Sequence, residues 1–233
     1  MSTEARDNFV IAPQKTPSLP IVGSSQRFPI NRIFCIGRNY AAHAVEMGHD
    51  PSKEPPFFFF KHAGAVSPSG EFPYPSETTD VHYEAELVVA LHKGGANIAP
   101  EAALDHIWGY GVGIDMTRRD LQAVAKEQGR PWEVAKSFDN SAPCSALIPV
   151  TAIGHPQRGR ISLAVNGEIK QDGNLDQMIW KTPDIIAILS QYFELFPGDM
   201  IMTGTPSGVG PVQRGDTMIA EIEGLGALTV AVK

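Results

Sequence analysis

The sequence predicts a β-rich α+β fold in which mixed sheets are joined by turns and a few short helices. Glycine and proline number 22 and 19 of 233 residues, which favours many tight turns. The apolar run Leu87–Leu91 is typical of a strand buried on both faces, and Asn166–Gly167 predicts a hairpin turn. A chain of this length can form one large core. We therefore expect a main domain over residues 31–233, with residues 1–30 as an N-terminal arm packed on it.

Composition and charge exclude several classes of function. The net charge is −7 and no basic stripe occurs, so nucleic acid is not an expected partner. The longest aromatic run, Phe57–Phe60, is far too short to cross a membrane. The first residues mix charges, unlike a secretory signal, and Cys35 and Cys144 lack disulfide or zinc spacing. These features predict a cytoplasmic protein with two reduced core thiols.

The first candidate site lies on a short helix. A strand at Ile33–Gly37 is followed by a predicted helix, Tyr40–Met47, with Asn39 as its N-cap. His43 and Glu46 share one face of this helix and can form a hydrogen bond. A carboxylate on one imidazole nitrogen makes the other a better base, which suits water activation. The alternative is an ordinary surface pair on a solvated helix face, and the helix pattern alone leaves both open.

A second candidate follows a run of aromatic residues. Phe57–Phe60 is interpreted as a strand buried on both faces, and Lys61 stands at its exit. Lys61 is either a surface lysine whose stem packs on apolar groups or a cation that reaches into a pocket.

Paired carboxylates mark the most informative stretch, Asp80–Leu91. Because side chains alternate along a strand, Glu84 and Glu86 are expected on the same side as Val88. Burying two neighbouring anions is costly, and a hard divalent cation relieves that cost. The alternative is a solvated strand end whose carboxylates are merely exposed.

The next strand supplies a third carboxylate. Trp108–Ile114 alternates aromatic or aliphatic residues with glycines, so one face is bare and lets a backbone or a ligand approach. Asp115 stands at the end of this face. The following helix is predicted to begin with Thr117 as its cap, which leaves Asp115 without a structural role. Arg119 and Gln122 lie three apart near the start of that helix.

Two later stretches complete the pattern. Pro183–Phe193 is predicted to be an amphipathic helix whose apolar stripe, including Tyr192, packs in the core. The glycine-rich segment Thr203–Gly210 lacks the ending of a phosphate-binding loop, and no dinucleotide fingerprint occurs elsewhere. Its backbone N–H groups can still bind a carboxylate.

Taken together, these motifs resemble the fumarylacetoacetate hydrolase family, and the resemblance extends from about Ile33 to the end of the chain. It is closest to the acylpyruvase and fumarylpyruvate hydrolase branch. The motifs that carry it are Gly37–Tyr40 with His43 and Glu46, Tyr83–Glu86, Gly109–Asp115 with Arg119 and Gln122, Ala135–Phe138, Pro143–Ala146, and Thr203–Pro206 with Gly208–Gly210.

The resemblance implies a β-roll or β-sandwich of mixed sheets, assembled as a homodimer. It implies one Mg²⁺ or Mn²⁺ per chain, held by Glu84, Glu86 and Asp115. His43 with Glu46 would activate water, and Lys136 would stabilise a developing oxyanion. The implied substrate-binding residues are Arg38, Lys61, Arg119, Gln122, Gly204 and Thr205.

The activity implied by the resemblance is hydrolysis of a carbon–carbon bond in an acylpyruvate, a 2,4-diketo acid. We expect 3-fumarylpyruvate to be cleaved to fumarate and pyruvate in aromatic catabolism of the gentisate type. Its second carboxylate needs a further cation, and the sequence does not choose among Arg38, Lys61 and Arg118. The alternatives are decarboxylation of oxaloacetate or another 2-keto acid, a general acylpyruvase, and a keto-acid-binding module without catalysis.

Overall fold

The computed structural model describes residues 9–41 and 55–233. Within them, strands form two larger sheets and three smaller ones, joined by short helices, which confirms the predicted β-rich α+β fold with mixed sheets. The strands are β1 Ser18–Pro20, β2 Arg27–Pro29, β3 Ile33–Gly37, β4 Phe57–Lys61, β5 Val66–Ser67, β6 Glu71–Phe72, β7 Val81–Tyr83, β8 Ala85–Leu91, β9 Ile107–Ile114, β10 Thr117–Arg118, β11 Ala142–Pro143, β12 Ile148–Pro149, β13 Arg160–Val165, β14 Glu168–Asn174, β15 Met200–Met202, β16 Gly210–Val212, β17 Thr217–Ile222 and β18 Gly226–Val232. The α-helices are α1 Arg119–Glu127, α2 Glu133–Lys136, α3 Val150–Ile153 and α4 Thr182–Tyr192, with 3-10 helices at Ala63–Ala65, Pro100–His106 and Leu175–Gln177.

The larger sheet has six strands in the order β12-β9-β8-β15-β3-β4. β15 runs parallel to β3, and the other neighbouring pairs are antiparallel. Every residue of β8 is buried, which confirms the predicted doubly buried strand. Leu87 and Val89 belong to the larger apolar cluster, whereas Val88 and Ala90 belong to a smaller one on the opposite face. Glu86 alternates with Leu87 and so lies on the side of the smaller cluster.

A second sheet has five strands in the order β14-β13-β17-β18-β6. Leu163, Ala220 and Val230 of this sheet share the larger apolar cluster with Leu87 of the six-stranded sheet. The main core therefore lies between the two sheets, as in a β-sandwich. Asn166 and Gly167 join β13 to β14 with φ values of 51° and 83°, which confirms the predicted hairpin turn.

The glycine face of β9 is used for close packing of another strand. A Cβ atom at Gly109 would lie 2.4 Å from the carbonyl oxygen of Ile148 in β12. Any larger residue there would push β12 out of its register with β9, because a carbonyl oxygen cannot move away alone. The sequence predicts that a backbone or a ligand approaches the glycine face of β9 closely. At Gly109 the approaching group is the backbone of β12.

Two strand predictions need correction. The strand expected through Asp80–Leu91 is interrupted at Glu84, between β7 and β8. The predicted alternation of side chains along β9 is also interrupted, because Ala90 pairs with Gly109 whereas Leu91 pairs with Ile107. This irregularity places Trp108 against the smaller cluster instead of with Val112 in the larger one.

Three side-chain environments also differ from expectation. Phe57–Phe60 are only partly buried, because β4 is an edge strand of the six-stranded sheet. Tyr192 is 70% exposed at the end of α4, so it does not belong to the buried stripe. The predicted cap at Thr117 is wrong, since Thr117 pairs with His82 in β10 and α1 begins two residues later.

The described part of the N-terminal stretch contacts the main body through a hairpin. β1 pairs with β2, and Leu19 and Phe28 are buried in the smaller apolar cluster. The Leu147 N–H donates to the Pro20 carbonyl at 2.9 Å. The division into an arm of residues 1–30 and a domain of residues 31–233 stays a prediction. No helix among the described residues is long and apolar enough to cross a membrane.

Candidate metal and substrate site

Three buried carboxylates meet at one end of the central sheet. Glu84 lies between β7 and β8, Glu86 lies in β8, and Asp115 follows β9. Because β8 and β9 are antiparallel neighbours, the Asp115 N–H can donate to the Glu84 carbonyl at 2.8 Å. One carboxylate oxygen from each residue lies within 4.8 Å of the others. Their exposures are 6%, 2% and 0%, so the solvated alternative is wrong for this pair of glutamates.

Lys136 joins two of the carboxylates. Its Nζ donates to Glu84 Oε2 at 2.7 Å and to Asp115 Oδ2 at 2.8 Å, and the side chain is almost fully buried. Burial alone would lower the pKa of Lys136, but the charges of Asp115 and Glu84 outweigh it and raise that pKa. The ammonium group therefore stays charged within the cluster.

Lys61 and Arg119 supply two further cations. Lys61 has no exposed surface, and its Nζ lies 2.8 Å from Asp115 Oδ1 and donates to the carbonyls of Met116 and Lys136. The surface-lysine alternative is therefore wrong. Arg119 Nη2 lies 2.6 Å from Glu84 Oε1. Three carboxylates are thus surrounded by three cationic side chains.

Glu86 is the least compensated of the three carboxylates. Its Oε2 accepts a hydrogen bond from the Gly204 N–H at 2.7 Å. Burial and the neighbouring charges of Asp115 and Glu84 nevertheless raise the pKa of Glu86 well above its ordinary value. The glycine-rich segment was expected to offer N–H groups to a carboxylate, and here Gly204 offers one to a carboxylate of the chain itself.

The donor set suits a divalent cation. All three groups are hard oxygen ligands, and Asp115 Oδ1 lies 2.8 Å from the Lys61 ammonium. Three carboxylates buried this close together repel one another, and a divalent cation would reduce that repulsion. Oxygen ligands of this kind favour Mg²⁺ or Mn²⁺ over zinc. The buried acidic triad Glu84, Glu86 and Asp115 therefore supports a divalent metal site.

The start of α1 places two polar side chains beside the carboxylates. Arg119 Nη1 donates to Gln122 Oε1 at 2.6 Å, as their spacing of three residues on one helix face allows. Gln122 is buried and lines the same cleft as Glu84 and Glu86. The predicted proximity of Arg119 and Gln122 is therefore present next to the triad.

Thr205 is held in this cleft by Gln171, a residue that the sequence analysis missed. Gln171 Nε2 donates to Thr205 Oγ1 and to the Pro206 carbonyl, each at 2.8 Å. Its Oε1 accepts from the Ala85 N–H at 2.9 Å. Nothing in the sequence near Gln171 indicates this contact, because its partners come from two distant segments.

Of the three cations considered for a distal carboxylate, only Arg38 lines the cleft. Arg38 follows β3 with a φ of 57°, an uncommon conformation for a residue with a side chain, and its guanidinium lies 5.1 Å from the Phe57 ring centre. Lys61 is enclosed behind Asp115. Arg118 lies over the Phe138 ring at 4.4 Å and donates to the Val134 carbonyl.

The other residues of the site prediction have different positions. His43 and Glu46 lie outside the described residues, as does most of the predicted helix Tyr40–Met47, so their role stays a prediction. A separate and larger cleft, of about 870 Å³, is lined by residues that include Tyr110, His155 and Lys181 but none of the three carboxylates.

Comparison with known proteins identifies the family of this chain. The family model for the fumarylacetoacetate (FAA) hydrolase C-terminal region matches residues 32–233. The chain belongs to the fumarylacetoacetate hydrolase family. The crystal structure of a fumarylpyruvate hydrolase from Pseudomonas aeruginosa, in complex with Mn²⁺ and pyruvate, matches with a TM-score of 0.95 and 54% identity. That match covers 97% of this chain and 99% of the other.

Two curated relatives have different activities in their names. A fumarylpyruvate hydrolase from Ralstonia sp is 44% identical over 78% of this chain and 95% of the relative. An oxaloacetate tautomerase from Escherichia coli (strain K12) is 40% identical over 87% of this chain and 93% of the relative. The chain is thus an enzyme of the fumarylacetoacetate hydrolase family, and the choice of substrate needs a separate argument.

Proposed function

We propose that this chain is a divalent-metal-dependent hydrolase that cleaves 3-fumarylpyruvate to fumarate and pyruvate in aromatic catabolism of the gentisate type. The observation that carries the proposal is the buried triad Glu84, Glu86 and Asp115, with the ammonium group of Lys136 between two of its members. The name and ligands of the Pseudomonas aeruginosa relative, at 54% identity, support the same substrate class.

The chain's own residues can bind and polarise such a substrate. A Mg²⁺ or Mn²⁺ ion held by Glu84, Glu86 and Asp115 would act as a Lewis acid for the 2-keto acid end. Arg119 and Gln122 lie beside Glu84 and offer N–H groups for substrate oxygens. Lys136 supplies a buried positive charge that opposes negative charge developing on the substrate.

Cleavage also needs an activated water molecule. We assign this role to His43, oriented by Glu46, from their spacing and from the family motif. His43 would take a proton from the water that attacks the distal keto carbon. The bond between that carbon and the neighbouring methylene then breaks, and its electron pair stays on the pyruvate fragment as an enolate. Protonation of the enolate gives pyruvate, and the water oxygen remains in fumarate.

A second candidate function is conversion of oxaloacetate, by tautomerisation or decarboxylation. The Escherichia coli relative, an oxaloacetate tautomerase at 40% identity, favours it. Both reactions pass through an enol or enolate of a 2-keto acid, so the metal ligands alone do not discriminate. His43→Ala separates hydrolysis from decarboxylation, because hydrolysis needs activated water whereas metal-assisted decarboxylation does not strictly need a base. Tautomerisation also needs a base, so it is recognised by its product, which keeps all the carbon atoms of the substrate. We expect His43→Ala to lower the rate of hydrolysis by a factor of roughly 10² to 10⁴, as for the loss of a general base.

The proposal is tested by comparing substrates under one set of conditions. Metal-free protein is supplied with Mg²⁺ or Mn²⁺ and given 3-fumarylpyruvate, acetylpyruvate or oxaloacetate. We expect metal-dependent loss of the ultraviolet band of the enol-diketone, fastest with 3-fumarylpyruvate. Faster turnover of oxaloacetate would favour the second candidate, and equal cleavage of acetylpyruvate would indicate a general acylpyruvase. Binding without loss of the band would indicate a keto-acid-binding module.

We also propose that the chain acts as a homodimer, as the family resemblance implies. Light scattering of the purified protein measures the mass in solution directly. A mass of twice 25.2 kDa supports the proposal, and a mass of one chain contradicts it.

A further inference from the structure

Helix α1 presents a third polar residue on the face that carries Arg119 and Gln122. Lys126 lies seven residues after Arg119, so Arg119, Gln122 and Lys126 follow the spacing of a single helix face. Arg119 contacts Glu84 and Gln122 contacts Arg119. Lys126 is therefore the member of this row farthest from the carboxylates.

Lys126 lies in the outer part of the proposed substrate cleft. Lys126 lines the same cleft as Glu84, Arg38 and Thr205, but it keeps much of its solvent-exposed surface. Its Nζ lies 5.4 Å from the centre of the Trp132 ring, close enough for a cation–π contact. A charged group at an open entrance can meet an anionic ligand without the full cost of burial.

Lys126 differs from the other cations of this cleft in its contacts with described residues. Lys61, Lys136 and Arg119 face the three carboxylates, whereas the Lys126 ammonium has no carboxylate within salt-bridge distance among residues 9–41 and 55–233. Partial removal from water, followed by the charges of Arg119 and Arg38, lowers the pKa of Lys126. A negatively charged ligand beside Lys126 would relieve this repulsion.

The spacing along α1 also suits a ligand of a particular length. Seven residues of helix advance about 10 Å, and helical side chains lean towards the N-terminus, which brings the Lys126 ammonium closer to the carboxylates. The two carboxylate carbons of extended 3-fumarylpyruvate are six bonds apart, roughly 7 to 8 Å, and those of oxaloacetate are three bonds apart, roughly 4 Å. The distance of about 10 Å along the helix, shortened by this lean of the side chain, is closer to the length of 3-fumarylpyruvate than to that of oxaloacetate.

We propose that Lys126 is a specificity-determining residue that binds the distal carboxylate of a long dicarboxylic diketo acid, in the cleft that Arg38 also lines. This inference rests on the proposed hydrolysis of 3-fumarylpyruvate, and it adds the residue that selects that substrate. Acetylpyruvate shares the 2,4-diketo acid end but has a methyl group in place of the CH=CH–carboxylate arm, so it lacks the distal carboxylate. Lys126 should therefore discriminate between the two substrates while the chemistry stays the same.

The test compares Lys126→Met, which removes the charge and keeps a flexible stem, with Lys126→Arg, which keeps the charge. Arg130→Met is a matched control, because Arg130 is exposed just beyond the same helix and its loss changes the net charge equally. We expect Lys126→Met to lower kcat/KM for 3-fumarylpyruvate by roughly 10- to 100-fold, mainly through KM, as for a charge-assisted hydrogen bond. Acetylpyruvate should change less than about twofold. Lys126→Arg should retain most of the preference, and Arg130→Met should behave as the native enzyme.

Equal losses on both diketo acids, or no loss on 3-fumarylpyruvate, would overturn the assignment of Lys126 and leave the hydrolase proposal intact. A native enzyme that cleaves neither diketo acid would overturn the proposed function itself and the role of Lys126 with it. Thermal melting of each variant checks folding. A kcat/KM loss confined to 3-fumarylpyruvate in a variant with an unchanged Tm supports the proposal.

Discussion

Gln171 accepts a hydrogen bond from the backbone N–H of Ala85, which lies between Glu84 and Glu86 in the sequence, at a distance of 2.9 Å. The same side chain donates to Thr205 at 2.8 Å. One fully buried amide from the second sheet therefore connects the strand that carries Glu86 to the glycine-rich loop. Its position makes the geometry of the triad depend on the packing of the two sheets.

The first prediction concerns this connection. Gln171→Leu removes three hydrogen bonds and leaves the Ala85 N–H buried without an acceptor. We expect a loss of about 1 to 3 kcal/mol in the free energy of unfolding, measured by urea denaturation. Gln128→Leu, at an exposed position, is the control and should change stability by less than about 0.5 kcal/mol. Equal stability of both variants would contradict the structural role of Gln171.

The second prediction concerns metal binding. Adding Mg²⁺ to chelator-treated protein should raise Tm with metal concentration, because an ion that binds only the folded state stabilises it by mass action. Glu86→Ala should abolish this rise, since it removes one of the three buried carboxylates of the proposed site. Glu127→Gln, an exposed change of equal charge, should keep it. A native protein whose Tm is unchanged at millimolar Mg²⁺ and Mn²⁺ would rule out the site.

The third prediction concerns the charge balance of the triad. Lys136→Met leaves Glu84 and Asp115 buried without the ammonium group that joins them. We expect a loss of about 3 to 5 kcal/mol in metal-free protein, as for one broken partner of a buried ion pair. Added Mg²⁺ should restore part of the lost free energy of unfolding. The exposed pair of Lys170 and Glu168 gives the comparison, and Lys170→Met should cost less than about 1 kcal/mol.

The fourth prediction concerns the two cysteines. Cys35 and Cys144 are both buried, and burial raises the pKa of Cys144 to about 12 and that of Cys35 well above its ordinary value. Both thiols should resist a thiol-specific reagent in the native protein and react once it is unfolded in denaturant. Rapid modification of a thiol in the native protein would contradict this burial.

The raised pKa values of the two buried thiols also affect how stability depends on pH. Above a pH of about 9, thiols of the unfolded chain lose protons whereas those of the folded chain do not. The unfolded state then binds fewer protons, so this contribution lowers stability as pH rises. Below that pH the thiols are protonated in both states and contribute no pH dependence. Urea denaturation of the double variant Cys35→Ala, Cys144→Ala should show a weaker decline above this pH than the native protein does.

The sequence was sufficient to predict residues whose position follows from one strand or one helix. Alternation within an apolar strand left a buried and a solvated position open for Glu86, and the structure has the buried one. The pattern of the neighbouring strand placed Asp115 at its end, where the residue lies. The contact of Arg119 with Gln122 follows from helical spacing. The same spacing extends to Lys126, so this residue was accessible from the sequence but was overlooked on a polar helix surface.

Residues whose environment depends on distant segments could not be predicted. The burial of Lys61 depends on Asp115, and that of Gln171 depends on partners at Ala85 and Thr205. The irregular pairing of β8 with β9 moved Trp108 to the other face, and no local pattern announces it. Long-range packing therefore decides these positions.

The most direct test of the central claim is the fate of 3-fumarylpyruvate in water enriched in heavy oxygen. The native enzyme with Mg²⁺ or Mn²⁺ is incubated with the substrate, and the products are quantified by mass spectrometry. Hydrolysis predicts fumarate and pyruvate in equal amounts, with solvent oxygen in the new carboxylate of fumarate, and no product without metal. Release of carbon dioxide, or isomerised substrate that keeps all its carbon atoms, would contradict the claim.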